Sequence, residues 1–265
     1  MRERLWLAVR GSAFLRRLYA IPVFRGPLRR LSFLLLPSRG TRRVRVRGGP
    51  GKGLAFELNP RWETAAWEGC YEQAAQEYLQ KQLKADSVFY DVGANFGLYS
   101  LLAARQGAQV FAFEPDVQIA ESLERHARLN SLNTRIEIIR AAVYSFSGSI
   151  ALDPANCQRG HGNAHIVVAL ASSRPSVPVL CMTLDEFARE HVAPNIVKID
   201  VEGAESEVLK GAEKVFAESR PHVLCEVHDP ANASFVEAWL KDRGYDIRWL
   251  DGSDKLPQQL LATPR

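Results

Sequence analysis

Short apolar runs alternate with amphipathic segments along most of this 265-residue chain. Apolar runs of about four to eight residues are typical of buried strands, and longer stretches with helical spacing are typical of helices. In the first half, this pattern predicts helix Thr64–Lys84, strand Ser87–Val92, helix Leu98–Gln106, strand Gln109–Phe113, helix Val117–Leu129 and strand Arg135–Val143. Nearer the C-terminus, it predicts strand Asn195–Val201, helix Glu202–Ser219, strand His222–Val227, helix Ala231–Arg243 and strand Tyr245–Leu250.

The order of these elements predicts the fold class. Strands that alternate with helices of this length form right-handed βαβ units and a mostly parallel sheet. Between Ser145 and Met182, short strand signals around the polar loop Pro154–His165 replace the alternation. We therefore predict a three-layer α/β sandwich with a β-rich insertion before its fourth strand. A β-hairpin is expected over Arg42–Pro60, where alternating residues adjoin a Gly-rich turn.

The distribution of charge divides the chain into two unequal parts. The net charge is +4, but residues 1–47 contain 13 Arg and one acidic residue, Glu3, so the remainder has an excess of acids. We expect a basic amphipathic helical segment at residues 1–50 and a main domain at residues 51–265. In residues 1–36, the favoured interpretation is an amphipathic helix packed on the domain or an unstructured tail. Peripheral contact with an anionic membrane surface is the alternative, because Arg residues stand among Trp, Phe and Leu.

We expect a cytoplasmic location. No apolar run reaches the ~18 residues that a membrane-spanning helix needs. Arg residues also interrupt every apolar stretch that could serve as the core of a signal peptide. The four cysteines lack C-x-x-C spacing, which favours buried thiols in a reducing compartment over disulfides or a zinc site.

A glycine-containing turn follows the first predicted sheet strand. Gly93 and Gly97, with Asn95 between them, allow the backbone to turn sharply and approach a ligand. Their spacing differs from the dinucleotide fingerprint, and Asp91 would repel a pyrophosphate but attract an ammonium group. Glu114 follows the second strand, where a carboxylate accepts hydrogen bonds from ribose hydroxyls. Together, these groups predict a site for S-adenosylmethionine, and the alternative is a doubly wound domain with an incidental Glu.

Five motifs in this order extend the interpretation: FYDVGANFGLYSLLAA, FAFEPD, MTLDEF, VKIDVEGAESEVLKGA and VLCEVH. With Gly69–Glu72 before them, they resemble the FkbM family of S-adenosylmethionine-dependent methyltransferases over about residues 53–228. The resemblance implies a seven-stranded, mostly parallel, Rossmann-like sheet of the class I methyltransferases, and O-methylation of sugars or natural-product hydroxyls. Asn95 stands where many other methyltransferases have glycine, and FkbM-like sequences share the Asn. Residues 1–50 lie outside the resemblance.

Candidate catalytic residues lie at the ends of two later strands. Asp200 ends the fourth strand and could accept the proton of an acceptor hydroxyl, or hold a divalent metal that acidifies it. Glu226 and His228 alternate at the end of the fifth strand and therefore point to the same side. Asp200, Glu226 and His228 could form a base with its orienting partners or an O,O,N metal set. A divalent metal is possible but not favoured, because the three residues have no motif-grade spacing. For Lys198, we predict a structural ion pair.

The expected function is O-methylation of a hydroxyl on a carbohydrate, glycolipid or secondary metabolite, with a small-molecule or glycan acceptor. An NAD- or nucleotide-sugar-dependent oxidoreductase and a non-catalytic cofactor-binding module are the alternatives. Nucleic acid is not an expected partner, because the main domain is acidic and the Arg-rich segment is far from the site in sequence. The sequence does not specify an oligomeric state.

Overall fold

The computed structural model describes residues 40–59, 63–153, 165–167, 176–250 and 256–265. The N-terminal segment to residue 39 and residues 154–164 of the polar loop lie outside this part of the chain. The predictions of a basic helix and of membrane contact through residues 1–36 therefore remain predictions. None of the helices in the described ranges combines the length and apolar character needed to cross a lipid bilayer.

The described residues form strands and helices in an order close to the predicted one. The strands are β1 (Arg42–Arg45), β2 (Ala55–Leu58), β3 (Val88–Val92), β4 (Gln109–Phe113), β5 (Ile136–Ile139), β6 (Ala142–Val143), β7 (Gly148–Asp153), β8 (His165–Val167), β9 (Val177–Met182), β10 (Ile196–Ile199), β11 (His222–Val227), β12 (Tyr245–Trp249) and β13 (Gln258–Pro264). The helices are α1 (Thr64–Glu68), α2 (Gln73–Gln82), α3 (Leu98–Arg105), α4 (Val117–Leu129), α5 (Leu184–Phe187), α6 (Glu205–Lys210), α7 (Glu213–Glu218) and α8 (Pro230–Asp242).

A seven-stranded sheet forms the centre of the molecule, in the order β12-β13-β11-β10-β3-β4-β5. β13 runs antiparallel to both of its neighbours, and the other neighbouring strands are parallel. The chain winds outward in one direction from β3 to β5 and then returns to β10 on the other side of β3. In open α/β sheets, such a reversal leaves a crevice beyond the carboxyl ends of the two strands, where ligands bind.

Two apolar cores cover the two faces of this sheet. In β3, Phe89 packs into the core that contains residues of α2, α3 and α4. Tyr90 and Val92 pack into the other core, which contains residues of α5, α6, α7 and α8. Successive strand side chains point to opposite faces, so a strand buried on both faces is mostly apolar, and the buried Asp91 is the exception in β3. The predicted three-layer α/β sandwich is confirmed.

The predicted β-rich insertion is also present. Strands β6 to β9 form a separate four-stranded sheet with the order β6-β9-β7-β8. The insertion joins the main sheet directly after β5, because Ala142 and Val143 pair with Cys181 and Met182 of β9. The single strand predicted over Arg135–Val143 is therefore two strands that belong to different sheets.

Two predicted helices are each divided, and one strand was not predicted. Gly69 has a left-handed backbone (φ 79°) and ends α1, so Thr64–Lys84 is not one helix. The segment predicted as helix Glu202–Ser219 forms α6 and α7, separated at Gly211, whose carbonyl accepts a hydrogen bond from the Asp185 amide. β13 was missed, and it is the antiparallel strand of an otherwise parallel sheet.

The predicted hairpin is confirmed by antiparallel pairing of β1 with β2. Three hydrogen bonds join it to α4 and to Asn130, which follows that helix. The Ala55 amide donates to Asn130 Oδ1 (2.8 Å), Asn130 Nδ2 donates to the Ala55 carbonyl (2.8 Å), and the Glu57 amide donates to His126 Nε2 (3.0 Å). The hairpin crosses residue 50, and the domain boundary proposed there stays a prediction.

We expect the substitution Gly93→Ala to lower the free energy of unfolding by about 2–5 kcal/mol, because steric overlap adds to backbone strain. Gly93 follows β3 with φ +75°, and a Cβ there would overlap the Asp200 carbonyl oxygen. Gly53→Ala is the matched control: its φ is +90°, but no atom lies within 4 Å of the added Cβ, so only the strain of about 1–2 kcal/mol should remain. Urea denaturation measures both values, and equal losses would contradict the proposed close contact.

Candidate functional site

A cavity opens at the carboxyl ends of β3, β4 and β10, at the point where the strand order reverses. Its wall includes Gly93, Asn95 and Glu114, which were predicted to bind the cofactor, and Asp200, which was predicted to be catalytic. Two other predicted cofactor residues, Asp91 and Gly97, are not part of this wall.

The backbone amides of the turn at residues 93–97 all have partners inside the protein. Their acceptors lie 2.8 to 3.1 Å away: the Phe113 carbonyl for Gly93 and Ala94, Glu114 Oε2 for Asn95, Asn95 Oδ1 for Phe96, and the Ala94 carbonyl for Gly97. Asn95 itself has a left-handed backbone (φ 51°), a conformation that Asn tolerates better than most residues. The turn is thus fixed by its own hydrogen bonds and does not present these amides to a phosphate.

Glu114 is buried at the end of β4, and both of its oxygens are held by backbone groups. Oε2 accepts from the Asn95 amide (2.9 Å) and Oε1 accepts from the Asp116 amide (3.0 Å). Burial raises the pKa of Glu114 to about 7. Each carboxylate oxygen has a further lone pair, so Glu114 can accept hydrogen bonds from two hydroxyls of a ligand in the cavity.

Gly97 allows two helices to pack closely. It precedes α3 with φ +90°, and a Cβ there would lie 2.7 Å from Cγ of Leu123 in α4. The glycine therefore permits α4 to pack closely against the beginning of α3.

Asp91 lies within the sheet, below the cavity. Its Oδ2 accepts a hydrogen bond from the Ser100 hydroxyl (2.6 Å), and its Oδ1 is 3.8 Å from Lys198 Nζ. Burial raises the pKa of Asp91, and the charge of Lys198 opposes that shift. The predicted contact of Asp91 with a ligand ammonium remains a prediction, and the described contacts are to the protein.

Lys198 is buried in β10 and has the acidic partners that were predicted for it. Nζ is 3.0 Å from Asp200 Oδ2, 3.8 Å from Asp91 Oδ1 and 5.1 Å from the centre of the Tyr99 ring. Burial alone would lower the pKa of Lys198, but the carboxylates of Asp200 and Asp91 raise it above its usual value. Lys198 therefore remains a cation and connects the ends of β3 and β10.

The three predicted catalytic residues converge at the carboxyl ends of β10 and β11. One ligand atom from each of Asp200, Glu226 and His228 lies within 4.8 Å of the others. His228 Nε2 is 3.8 Å from Asp200 Oδ1 and 3.2 Å from Glu202 Oε2, while Nδ1 is 2.8 Å from Glu205 Oε1.

Burial and the crowding of carboxylates alter proton affinity in this cluster. Burial raises the pKa of Glu226 to about 8, and the charges of Asp200 and Glu72 add to the shift. Burial lowers the pKa of His228, but the hydrogen bond to Glu205 and the nearby carboxylates outweigh it and raise the value to about 9. The cluster can therefore exchange protons near neutral pH.

Two acidic residues of this region were not predicted as site residues. Glu205 begins α6 and is completely buried beside His228. Glu72 precedes α2 and accepts a hydrogen bond from the Tyr99 hydroxyl (2.6 Å). Burial and the charge of Asp200 raise the pKa of Glu72. Glu72 is the last residue of the GCYE motif, so the resemblance contained a signal for it, whereas Glu205 shows no pairing signal in the sequence.

A comparison with protein families identifies the family to which this chain belongs. The family model of the methyltransferase FkbM domain matches residues 91–247, more than half of the chain. The chain belongs to the FkbM methyltransferase family. The match begins at Asp91 and includes Glu114, Asp200, Glu226 and His228. The resemblance inferred from the sequence motifs is confirmed.

Named relatives and one solved structure agree with this membership. The chain is 31% identical over 159 residues to the hexuronic acid methyltransferase AglP of Haloferax volcanii. This alignment covers 59% of this chain and 62% of AglP. It is 26% identical over 193 residues to the 2-O-methyltransferase NoeI of Sinorhizobium fredii, covering 64% of this chain and 76% of NoeI. The chain therefore spans less than two thirds of AglP.

The methyltransferase FkbM of Methylobacillus flagellatus is a structural neighbour. It shares 18% sequence identity, and the superposition covers 71% of this chain and 50% of that one with a TM-score of 0.50. At this level of identity, the likeness supports the class I methyltransferase fold.

We expect the substitution Lys198→Met to lower the free energy of unfolding by about 3–5 kcal/mol, because it leaves two buried carboxylates without their cation. Lys210→Met is the matched control: Lys210 is half exposed and pairs with Glu207 on the surface, so a loss below about 1 kcal/mol is expected. Urea denaturation at neutral pH compares the two, and a loss for Lys198→Met as small as that of the control would contradict a structural role for the buried cation.

Proposed function

We propose that this protein is an S-adenosylmethionine-dependent methyltransferase that methylates a hydroxyl group of a carbohydrate, glycolipid or secondary metabolite. The observation that carries the choice of cofactor is the turn at residues 93–97, whose amides are already hydrogen-bonded within the protein. Dinucleotide sites bind a pyrophosphate through amides at such a turn. An NAD-linked reaction is therefore the weaker hypothesis for this site.

The remaining groups of the cavity suit a ribose and a cation. The Glu114 carboxylate is positioned to accept hydrogen bonds from ribose hydroxyls. The Asp200 carboxylate places negative charge near the end of β10, and the acidic side chain of Glu226 lies beside it. Opposite charge favours a sulfonium there, because interactions between charges are stronger at a partly buried site than in water.

The chemistry we propose needs one base. When bound, S-adenosylmethionine supplies a methyl group on a positively charged sulfur; the acceptor oxygen forms a C–O bond as the C–S bond breaks, and the sulfur keeps the electron pair. Asp200 takes the proton of the acceptor hydroxyl in this step, because its Oδ1 faces His228 while Oδ2 is held by Lys198. His228 and Glu226 lie beside Asp200.

The names of two relatives support the proposed acceptor class. AglP is named for a hexuronic acid and NoeI for a 2-O-methyl product, so relatives of this chain include enzymes that act on sugar derivatives and on hydroxyl groups. We propose a small-molecule or glycan acceptor, no nucleic-acid substrate and a cytoplasmic location, with peripheral membrane contact through residues 1–36 as a further hypothesis.

We expect S-adenosylhomocysteine to bind the full chain at one site, and NAD to bind at least about tenfold more weakly. The substitution Glu114→Gln should weaken S-adenosylhomocysteine by about 10–100-fold, because charge-assisted hydrogen bonds to ribose contribute about 1.5–3 kcal/mol. Isothermal titration calorimetry measures both ligands. Glu124→Gln, an exposed carboxylate paired with Arg128 on α4, is the control that should leave binding unchanged. Tighter binding of NAD than of S-adenosylhomocysteine would overturn the proposed cofactor.

We expect Asp200→Asn to lower turnover by about 10²–10⁴-fold, the range for a lost general base. Affinity for S-adenosylhomocysteine should change much less, because Glu114 provides the ribose contacts. Transfer of labelled methyl groups to fractionated carbohydrate and lipid from cells measures turnover, with Glu124→Gln again as the control. Near-normal turnover of Asp200→Asn would leave Asp200 a positioning role alone.

A further inference from the structure

We propose that Asp200, Glu226 and His228 form a binding site for a divalent cation at the carboxyl ends of β10 and β11. In the described part of the chain, these residues offer two carboxylate oxygens and one imidazole nitrogen within 4.8 Å of one another. From the sequence, a divalent metal was not favoured, because the spacing of the three residues matches no metal-binding motif.

The orientation of His228 is the first observation that supports the site. Nδ1 contacts Oε1 of the completely buried Glu205 at 2.8 Å, and the Gly203 amide donates to the same oxygen at 2.9 Å. A carboxylate on Nδ1 favours a proton there, so the lone pair of a neutral ring is on Nε2, facing Asp200 and Glu202. Histidines that bind metals commonly have this arrangement, in which an outer carboxylate fixes the ring.

An unpartnered carboxylate oxygen is the second observation. Glu205 is completely buried, and its Oε2 has no hydrogen-bond partner in the described structure. Glu205 is also the residue that contacts Nδ1 of His228. Buried polar atoms normally have partners, so the unpaired oxygen of a residue that adjoins this cluster indicates a missing positive group.

The existing cations do not fill this role. Lys198 approaches Asp200 from the side of β3 and contacts Oδ2, which leaves Oδ1 facing Nε2 of His228 at 3.8 Å. A proton on Nε2 can satisfy one carboxylate at a time. A divalent cation placed between these atoms would contact Asp200, Glu226 and His228 together.

The spacing and chemistry of the donors favour a small octahedral ion. Metal–ligand bonds of about 2.1 Å place neighbouring donors about 3 Å apart and opposite donors about 4.2 Å apart. Donor atoms that already lie within 4.8 Å of one another would therefore move closer together on binding one ion. Oxygen ligands suit Mg²⁺ and Mn²⁺, and one imidazole among them favours Mn²⁺ over Mg²⁺ or Ca²⁺. The remaining coordination positions would be available to water or to an acceptor oxygen.

The role of the cation would rest on the proposed function. A bound divalent cation would hold the acceptor hydroxyl and lower its pKa. With the cation bound, Asp200 would act as a ligand in place of the base, and the hydroxyl proton would pass to water. The binding site itself can be tested without the cofactor and without an acceptor.

The test uses the full chain, treated with chelator and then dialysed, and titrated with MnCl₂ while the electron paramagnetic resonance signal of free Mn²⁺ is recorded. We expect one saturable site per chain. His228→Gln and Glu226→Gln should each weaken Mn²⁺ by at least about tenfold, and Glu205→Gln by about 10–100-fold through loss of the ring's orientation. Glu124→Gln should leave the affinity unchanged.

Absence of a saturable site in the wild-type chain would overturn the proposal, and so would unchanged affinity in either ligand variant. Because a variant can lose its fold, electron spin-echo measurements on the wild-type complex provide an independent test: coupling to an imidazole nitrogen supports the site, and its absence overturns it. S-Adenosylhomocysteine binding, measured separately, reports on the proposed function. The metal site can therefore fail while methyl transfer stands, and the reverse also holds.

Discussion

The buried contact of Lys198 with two carboxylates is the constraint on which the rest of the site depends. Lys198 projects from β10, contacts Asp200 directly after that strand and approaches Asp91 on β3. These strands flank the point where the sheet order reverses, so the ion pairs join the two halves of the fold where the ligand cavity opens. Desolvation makes an unpaired buried charge costly, and each of the three groups therefore requires the others.

Close backbone packing at the same place follows from this arrangement. Gly93 leaves no room for a side chain against the Asp200 carbonyl, and Lys198 Nζ lies 3.5 Å from the Gly93 carbonyl. The turn after β3 and the loop after β10 are thus positioned by one another. The side of the cavity that contains Glu114 and the side that contains Asp200 meet at this contact.

Much of this organisation could be predicted from the sequence, because it depends on local pattern. Apolar strands, the glycine turn and Glu114 each follow from neighbouring residues, and they lie where the pattern placed them. The division at Gly211 and the pairing of Ala142–Val143 with β9 depend on contacts with distant segments, so periodicity could not show them. The contact of Glu205 with His228 joins the start of α6 to the loop after β11 across 23 residues of sequence. A Glu at a helix start also has an ordinary local explanation as a favourable charge.

Different parts of the fold hold the residues that line the cavity. Gly93, Asn95 and Glu114 are held by strand ends of the main sheet and by hydrogen bonds of the turn. The insertion also contributes Val143 and Leu152 to the lining of the cavity. Because the insertion forms its own sheet, this part of the lining can change in sequence without disturbing the strands that hold Gly93 and Glu114.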